Sequence, residues 1–184
     1  MRLFVSVDLP DEFAADVEQV QQEFEGAPGL NFTDPEQTHV TLQFLGDVNR
    51  GELPRVKNAV RRGVDSSGVD PFAATYEGLG VFPDISYIQV VWLGVSEGGE
   101  QLTRLHEAIE SETTKLGFDP DDHEFTPHVT LARMEHAGGK ELVQDTVEAL
   151  DPTVGTAEVT EVRLTESVLT DDGPQYSTVE SFEL

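Results

Sequence analysis

Two short stretches of this chain have residue types and spacing that could do chemistry. Thr38-His39-Val40-Thr41-Leu42-Gln43-Phe44-Leu45-Gly46 lies in the first half and Thr126-Pro127-His128-Val129-Thr130-Leu131-Ala132-Arg133 in the second. Each contains His-Val-Thr-Leu. Side chains of a strand alternate between faces, so His39 and Thr41 share one face, as do His128 and Thr130. Val40, Leu42, Val129 and Leu131 are then free to pack on the other. A histidine near its reference pKa of about 6.5 gives or takes a proton at neutral pH. Two of them on opposite sides of one phosphorus permit an in-line displacement, with limbs of the pH profile flanking neutrality. One takes a proton from the attacking oxygen and the other protonates the leaving oxygen. A threonine beside each donates to a non-bridging oxygen, where charge grows. One His-X-Thr in a strand reads as a satisfied histidine; two in equivalent settings read as a site.

The elements that would position these pairs occur twice. Leu3, Val5, Val7 and Leu9 alternate with Arg2, Phe4, Ser6 and Asp8, which predicts a strand over 2–9. Pro10-Asp11-Glu12 opens a helix that carries Phe13, Val17, Val20 and Phe24 on one side and ends at Gly26-Ala27-Pro28-Gly29. A strand over 38–45, a helix over 51–63 and a strand over 72–80 follow. The second half repeats the order: strand 87–95, helix 99–116, strand 126–134, helix 139–150 and a long strand 157–169. Asp171-Asp172-Gly173-Pro174 signals a hairpin turn into a last strand at 175–183. No linker separates the halves. The pattern predicts an α+β fold: one domain over 1–184, with two pseudo-symmetric lobes that are not independent domains. Each lobe is a largely antiparallel sheet with outer helices, and a central cleft between them brings the two His–Thr pairs together.

Other candidates have plainer readings. His106, beside Leu105 in a helix, reads as a surface or packing residue, and His123 and His136 as solvated loop residues. Trp92 and Phe44 read as core. Gly78-Leu79-Gly80 lacks the Lys-Ser/Thr of a phosphate loop. Asp121-Asp122-His123 has no recognised ligand spacing, so no metal is expected. The chain has 184 residues, 38% of them hydrophobic, which suffices for a sizeable core. It has no cysteine, which removes disulfides, thiolate metal sites and a thiol nucleophile. No apolar run reaches the roughly 18 residues of a membrane span. The N-terminus meets an acid too early for a signal peptide. A soluble, cytoplasmic monomer is expected. With 36 acids against 11 bases the formal net charge is −25, and only three bases are lysine. The acids are spread throughout, as on the carboxylate-rich surfaces of proteins adapted to high internal salt, where screening removes self-repulsion. Such a charge opposes general attraction to nucleic acid, so any RNA must meet a local cationic site.

With these residues in view, the sequence resembles the 2H phosphoesterases, defined by paired His-X-Thr-X motifs, and among them the RNA 2′,3′-cyclic phosphodiesterases, also called 2′-5′ RNA ligases. The resemblance spans nearly the whole chain. It includes Arg2-Leu3-Phe4-Val5-Ser6-Val7, Gly80-Val81-Phe82-Pro83, Phe125-Thr126-Pro127 before the second motif, and the closing Ser167, Leu169, Gly173 and Tyr176. It implies a bilobal fold and metal-independent hydrolysis of RNA 2′,3′-cyclic phosphate ends to 2′-phosphate, with no cofactor. By carry-over, His39 protonates the departing O3′ and His128 activates water. Thr41 and Thr130 hold the phosphate oxygens, and Arg133 helps bind it. Strict alternation puts Arg133 on the face opposite His128, so this role requires a bulge or the strand's end. Reverse 2′-5′ ligation would use the same histidines. Two alternatives stay open: a 2H phosphodiesterase acting on a small cyclic phosphate or a 2′-5′ linkage, and a non-catalytic RNA-binding module. A mere binder needs neither a proton donor nor an acceptor, so intact motifs on both strands favour an enzyme.

Overall fold

A computed structural model describes all 184 residues. The opening alternation forms β1 (Arg2–Asp8), with Leu3, Val5 and Val7 buried. Pro10 leads into one 3₁₀ turn (Asp11–Phe13) and then α1 (Ala14–Gln22), and Phe13, Val17, Val20 and Phe24 all face the core. A short strand that the sequence did not signal, β2 (Leu30–Phe32), precedes β3 (His39–Asp47). Then come α2 (Leu53–Ser67), ended by Gly68 at φ +67°, and the hairpin of β4 (Phe72–Asp84) with β5 (Tyr87–Glu97). The turn between those strands is closed by Asp84, whose carboxylate accepts from the backbone N–H of Ser86 and Tyr87 at 2.8 and 3.0 Å. α3 (Gly99–Thr114), β6 (His128–Met134) and α4 (Lys140–Ala149) follow.

The single long strand expected over 157–169 is in fact two, β7 (Thr153–Val159) and β8 (Glu161–Thr170), before β9 (Gly173–Glu183). They part at Thr160, whose carbonyl is taken by the backbone N–H of Leu184 at 3.0 Å. The break has a topological cause: β7 pairs with β4, whereas β8 pairs with β1 and β9. At Thr160 the chain leaves one lobe for the other.

The strands run in the order β7-β4-β5-β6-β3-β1-β8-β9, with every pair antiparallel and β2 added beside β6. The two expected sheets therefore meet as halves of one curled sheet. One lobe is β3-β1-β8-β9 and the other β7-β4-β5-β6. The repeats β1-α1-β3-α2-β4 and β5-α3-β6-α4-β8 map onto each other about the β3/β6 junction, and each gives its third strand to the other lobe. The helices cross as well: α3 packs behind β3 and α1 behind β6. At the α2–α3 contact Gly63 is required, because a Cβ there would lie 2.6 Å from the Ile109 backbone. The apolar core is one cluster that draws on both lobes. No helix is long and apolar enough to cross a membrane.

Candidate active site

The two lobes touch in the ladder at one register pair, Val40↔Val129. In an antiparallel pair this sets His39 opposite Thr130 and Thr41 opposite His128, all four on the face away from the buried valines. The two histidines lie on one diagonal of a square and the two threonines on the other. Ideal strand geometry puts such diagonal residues about 7–8 Å apart. A phosphate seated above the square meets an imidazole from either side and a hydroxyl from either side.

Each imidazole is held the same way. His39 Nδ1 lies 3.0 Å from the Gln37 carbonyl and His128 Nδ1 lies 2.7 Å from the Thr126 carbonyl. A carbonyl only accepts, so Nδ1 carries the hydrogen in both rings and Nε2 is left to exchange protons in the cleft. Each ring is also jacketed by aromatics. Phe4 stacks on His39 at 4.8 Å with Tyr176 edge-on at 5.3 Å, and Phe82 is edge-on to His128 at 4.8 Å with Trp92 at 6.0 Å. Trp92 lies flat over Gly80, where a Cβ would fall 2.2 Å from the indole, so only glycine fits. This also corrects the sequence reading of Trp92 as plain core: it is half-buried and flanks a motif histidine.

Strict alternation fails after each threonine, for one physical reason. Val5 pairs with Gln43 and Ser6 with Thr41, so Leu42 is an extra residue; Val91 pairs with Ala132 and Trp92 with Thr130, so Leu131 is extra. These bulges let two consecutive residues face the core: Leu42 with Gln43, and Leu131 with Ala132. The next side chain in each strand is returned to the cleft side. In β6 this residue is Arg133, which lines the same cavity as His39, Thr41 and Thr130. In β3 it is Phe44, expected in the core but 51% exposed, with the Arg2 guanidinium 5.2 Å from its ring centre.

A bulge frees backbone carbonyls that need partners, at about 1–3 kcal/mol for each one left buried and unpaired. Side chains of α1, α3 and the segment after β2 supply them. Gln21 of α1 donates to the Leu131 carbonyl at 3.1 Å, and Thr33 donates to those of Thr130 and Leu131 at 2.8 and 3.1 Å. His106 of α3 meets the Leu42 carbonyl at 2.6 Å. His106 is thus a packing residue, 5% exposed. His123 and His136 are exposed and lie away from the cleft, His136 accepting from Gly138 N–H at 3.1 Å.

Gln37 was not picked out in the sequence, yet it serves twice. Its carbonyl fixes His39, and its side-chain amide accepts from Tyr176 N–H at 2.9 Å and donates to the Pro174 carbonyl at 3.1 Å. The β8–β9 hairpin is thereby pinned over the cleft. Phe4 did leave a signal, since the β1 alternation sets it with Arg2, Ser6 and Asp8 on the polar face.

The cavity beside the square has a volume of about 490 Å³, and Arg133 is the cation in its wall. A second cavity of about 410 Å³ flanks the other side of His39, where Asp8, Glu158 and Glu161 surround Arg163. That guanidinium is already held by Asp8 and Glu161 at 2.9 and 2.8 Å, which leaves Arg133 as the cation open to an anion beside the square, in a wall that also carries Asp34 and Asp172. Burial pushes both histidines below the ordinary value of 6.5. The Arg133 charge lowers both further, and His39 lowers His128. Against this, the Asp8 carboxylate, register partner of His39, raises His39 alone. Asp8 thus opposes the lowering at His39 and has no counterpart at His128.

The model of the 2′-5′ RNA ligase superfamily matches residues 9–170. An RNA 2′,3′-cyclic phosphodiesterase of Methanothermobacter thermautotrophicus is 37% identical over 100% of this chain and 99% of its own. One from Archaeoglobus fulgidus is 36% identical with both chains covered in full. The crystal structure of a Thermus thermophilus protein superimposes with a TM-score of 0.81 at 29% identity, covering 100% of this chain and 98% of that one. Escherichia coli LigT, crystallised with 3′-AMP, has the same fold, with a TM-score of 0.81 at 23% identity over 100% and 97% of the two chains.

The tethers and the burial predict a definite titration. In ¹⁵N-detected NMR both His39 and His128 should be Nδ1–H tautomers with midpoints below 6.5. Asp8→Asn should lower the His39 midpoint further and leave that of His128 nearly unchanged. A midpoint above 6.5 for either ring, or an Nε2–H tautomer, contradicts the geometry.

Proposed function

Since the chain belongs to the 2′-5′ RNA ligase superfamily, we propose that it is a phosphoesterase that opens RNA 2′,3′-cyclic phosphate ends to 2′-phosphates without a metal. The observation that carries this reading is the square of His39, Thr130, His128 and Thr41 at the junction, with an Nε2 free on each ring. Water enters on the side of His128, whose Nε2 takes its proton as the oxygen bonds to phosphorus. The P–O3′ bond breaks on the opposite side, and His39 Nε2–H gives its proton to O3′. The phosphate stays on O2′. Thr41 and Thr130 donate to the non-bridging oxygens, and Arg133 balances the charge that builds there.

The direction of these roles is supported by Asp8. A carboxylate beside His39 favours the protonated ring, which suits the general acid; His128, lowered by His39 and raised by no carboxylate, suits the base. The names of the relatives add the substrate class. A 5′-hydroxyl in place of water would give 2′-5′ ligation through the same proton path. A small cyclic phosphate is a less favoured substrate, because a cavity of about 490 Å³ that runs on past the square to Asn31 and Gln175 has room for a nucleotide beyond the phosphate.

The test is turnover of an oligonucleotide ending in a 2′,3′-cyclic phosphate, assayed in EDTA. His39→Ala and His128→Ala should each lower kcat by about 10²–10⁴, with the double variant far short of the product of the two. With both pKa values lowered in the free enzyme, the singly protonated pair is most abundant below pH 6.5. kcat/KM should therefore peak on the acid side of 6.5 rather than at neutrality. Loss of activity in EDTA, restored by a divalent ion, contradicts the metal-free route. A variant that keeps wild-type turnover removes its histidine from the mechanism.

The spread acidity fits adaptation to high salt. Between low and molar KCl, screening should raise the thermal midpoint, while a substrate held mainly by its terminal phosphate loses little binding. Midpoint and initial rate should then rise together. A flat midpoint with a steep fall in rate contradicts this.

A further inference from the structure

Behind the sheet, away from the cleft, three side chains converge that the displacement does not use. His106 is nine-tenths buried, its Nδ1 tied to the Leu42 carbonyl at 2.6 Å and its ring stacked on Phe125 at 4.2 Å and 10°. A carbonyl at Nδ1 leaves the lone pair on Nε2, and Nε2 has no hydrogen-bond partner. What it faces is Glu110 Oε2 at 3.6 Å, one helical turn on, and Asp121 Oδ2 at 3.8 Å, from the segment between α3 and β6. Those distances are too long for hydrogen bonds. The three ligand atoms lie within 4.8 Å of one another.

The spacing suits an ion. Tetrahedral zinc, bound at about 2.0–2.1 Å by nitrogen and oxygen, holds its donors about 3.3 Å apart, a few tenths of an ångström less than the two distances from Nε2. The orientation suits one too, since a ligating histidine usually donates its other N–H to a carbonyl or carboxylate. The loop is already brought in, as Asp121 N–H donates to Glu110 Oε2 at 2.9 Å. We propose that His106, Glu110 and Asp121 bind a divalent transition-metal ion, best matched by zinc, with water completing the shell. Imidazole among the donors selects against magnesium and calcium, which prefer oxygen alone.

The site is structural. It fastens the segment after α3 onto the helix, and that segment continues through Phe125 and Thr126, whose carbonyl holds His128 Nδ1. His106, Glu110 and Asp121 are not among the residues of the square, so the ion takes no part in the proton transfers.

The experiment uses the full chain, stripped of metal and melted in molar KCl so that diffuse binding to carboxylates is screened. Zinc at about 100 times its Kd should raise the midpoint by ~5 °C or more, and magnesium at the same concentration should not. Glu110→Gln and Asp121→Asn, at partly exposed positions that tolerate the change, should each abolish the zinc shift. Zinc should also move the ¹⁵N resonance of His106 Nε2 at one equivalent. No zinc shift, an equal shift with magnesium, or a shift that survives in both variants overturns the site.

Discussion

Val40 opposite Val129 is the one register pair between the lobes, and the arrangement of the cleft hangs on it. The pair fixes which residues of β3 and β6 oppose each other, and so turns two local His-X-Thr patterns into one square. Everything around the junction serves to hold that register. The third strand of each repeat crosses to the opposite lobe, so neither sheet is complete without the other half of the chain. α1 and α3 cross as well, and Gln21 and His106 satisfy the carbonyls freed beside the motifs. A slip of one residue would turn the histidines into the core and the valines into the cleft.

The second theme is a single cation placed beside the square in a strongly acidic molecule. The formal charge of −25 would repel an RNA backbone, yet the cleft places Arg133 against the square and confines most nearby acids to the far side of His39. Burial among aromatic rings lowers the pKa of both imidazoles. Recognition of a terminal phosphate, rather than of a long backbone, is the mode of nucleic-acid binding such a surface permits.

How much of this was legible in the sequence depends on how local each feature is. The strands, the helices and the paired motifs follow from alternation and 3.6-residue periodicity, and they appeared nearly where expected. Partner choice is not local. Residues 157–169 read as one strand because nothing in their composition marks Thr160 as the point of passage between lobes. Arg133 and Phe44 change faces because of bulges, and a bulge is a mismatch in count against the opposing strand, β5 or β1. The sequence reaches Arg133 only through family resemblance, on condition of a bulge, and reads Phe44 as core. His106 and Glu110 show the same limit. Their i,i+4 spacing is visible, but Asp121 joins them only when the chain turns back after α3.

The central claim is that His39 and His128 work on opposite sides of one phosphorus, with O3′ leaving on the side of His39. Its most direct test is the product formed in EDTA from an oligonucleotide with a 2′,3′-cyclic phosphate end, in ¹⁸O-labelled water, with the isomer identified by NMR and the label by mass spectrometry. The account predicts a 2′-phosphate carrying one ¹⁸O on phosphorus. A 3′-phosphate, or no turnover by the intact protein, would contradict it.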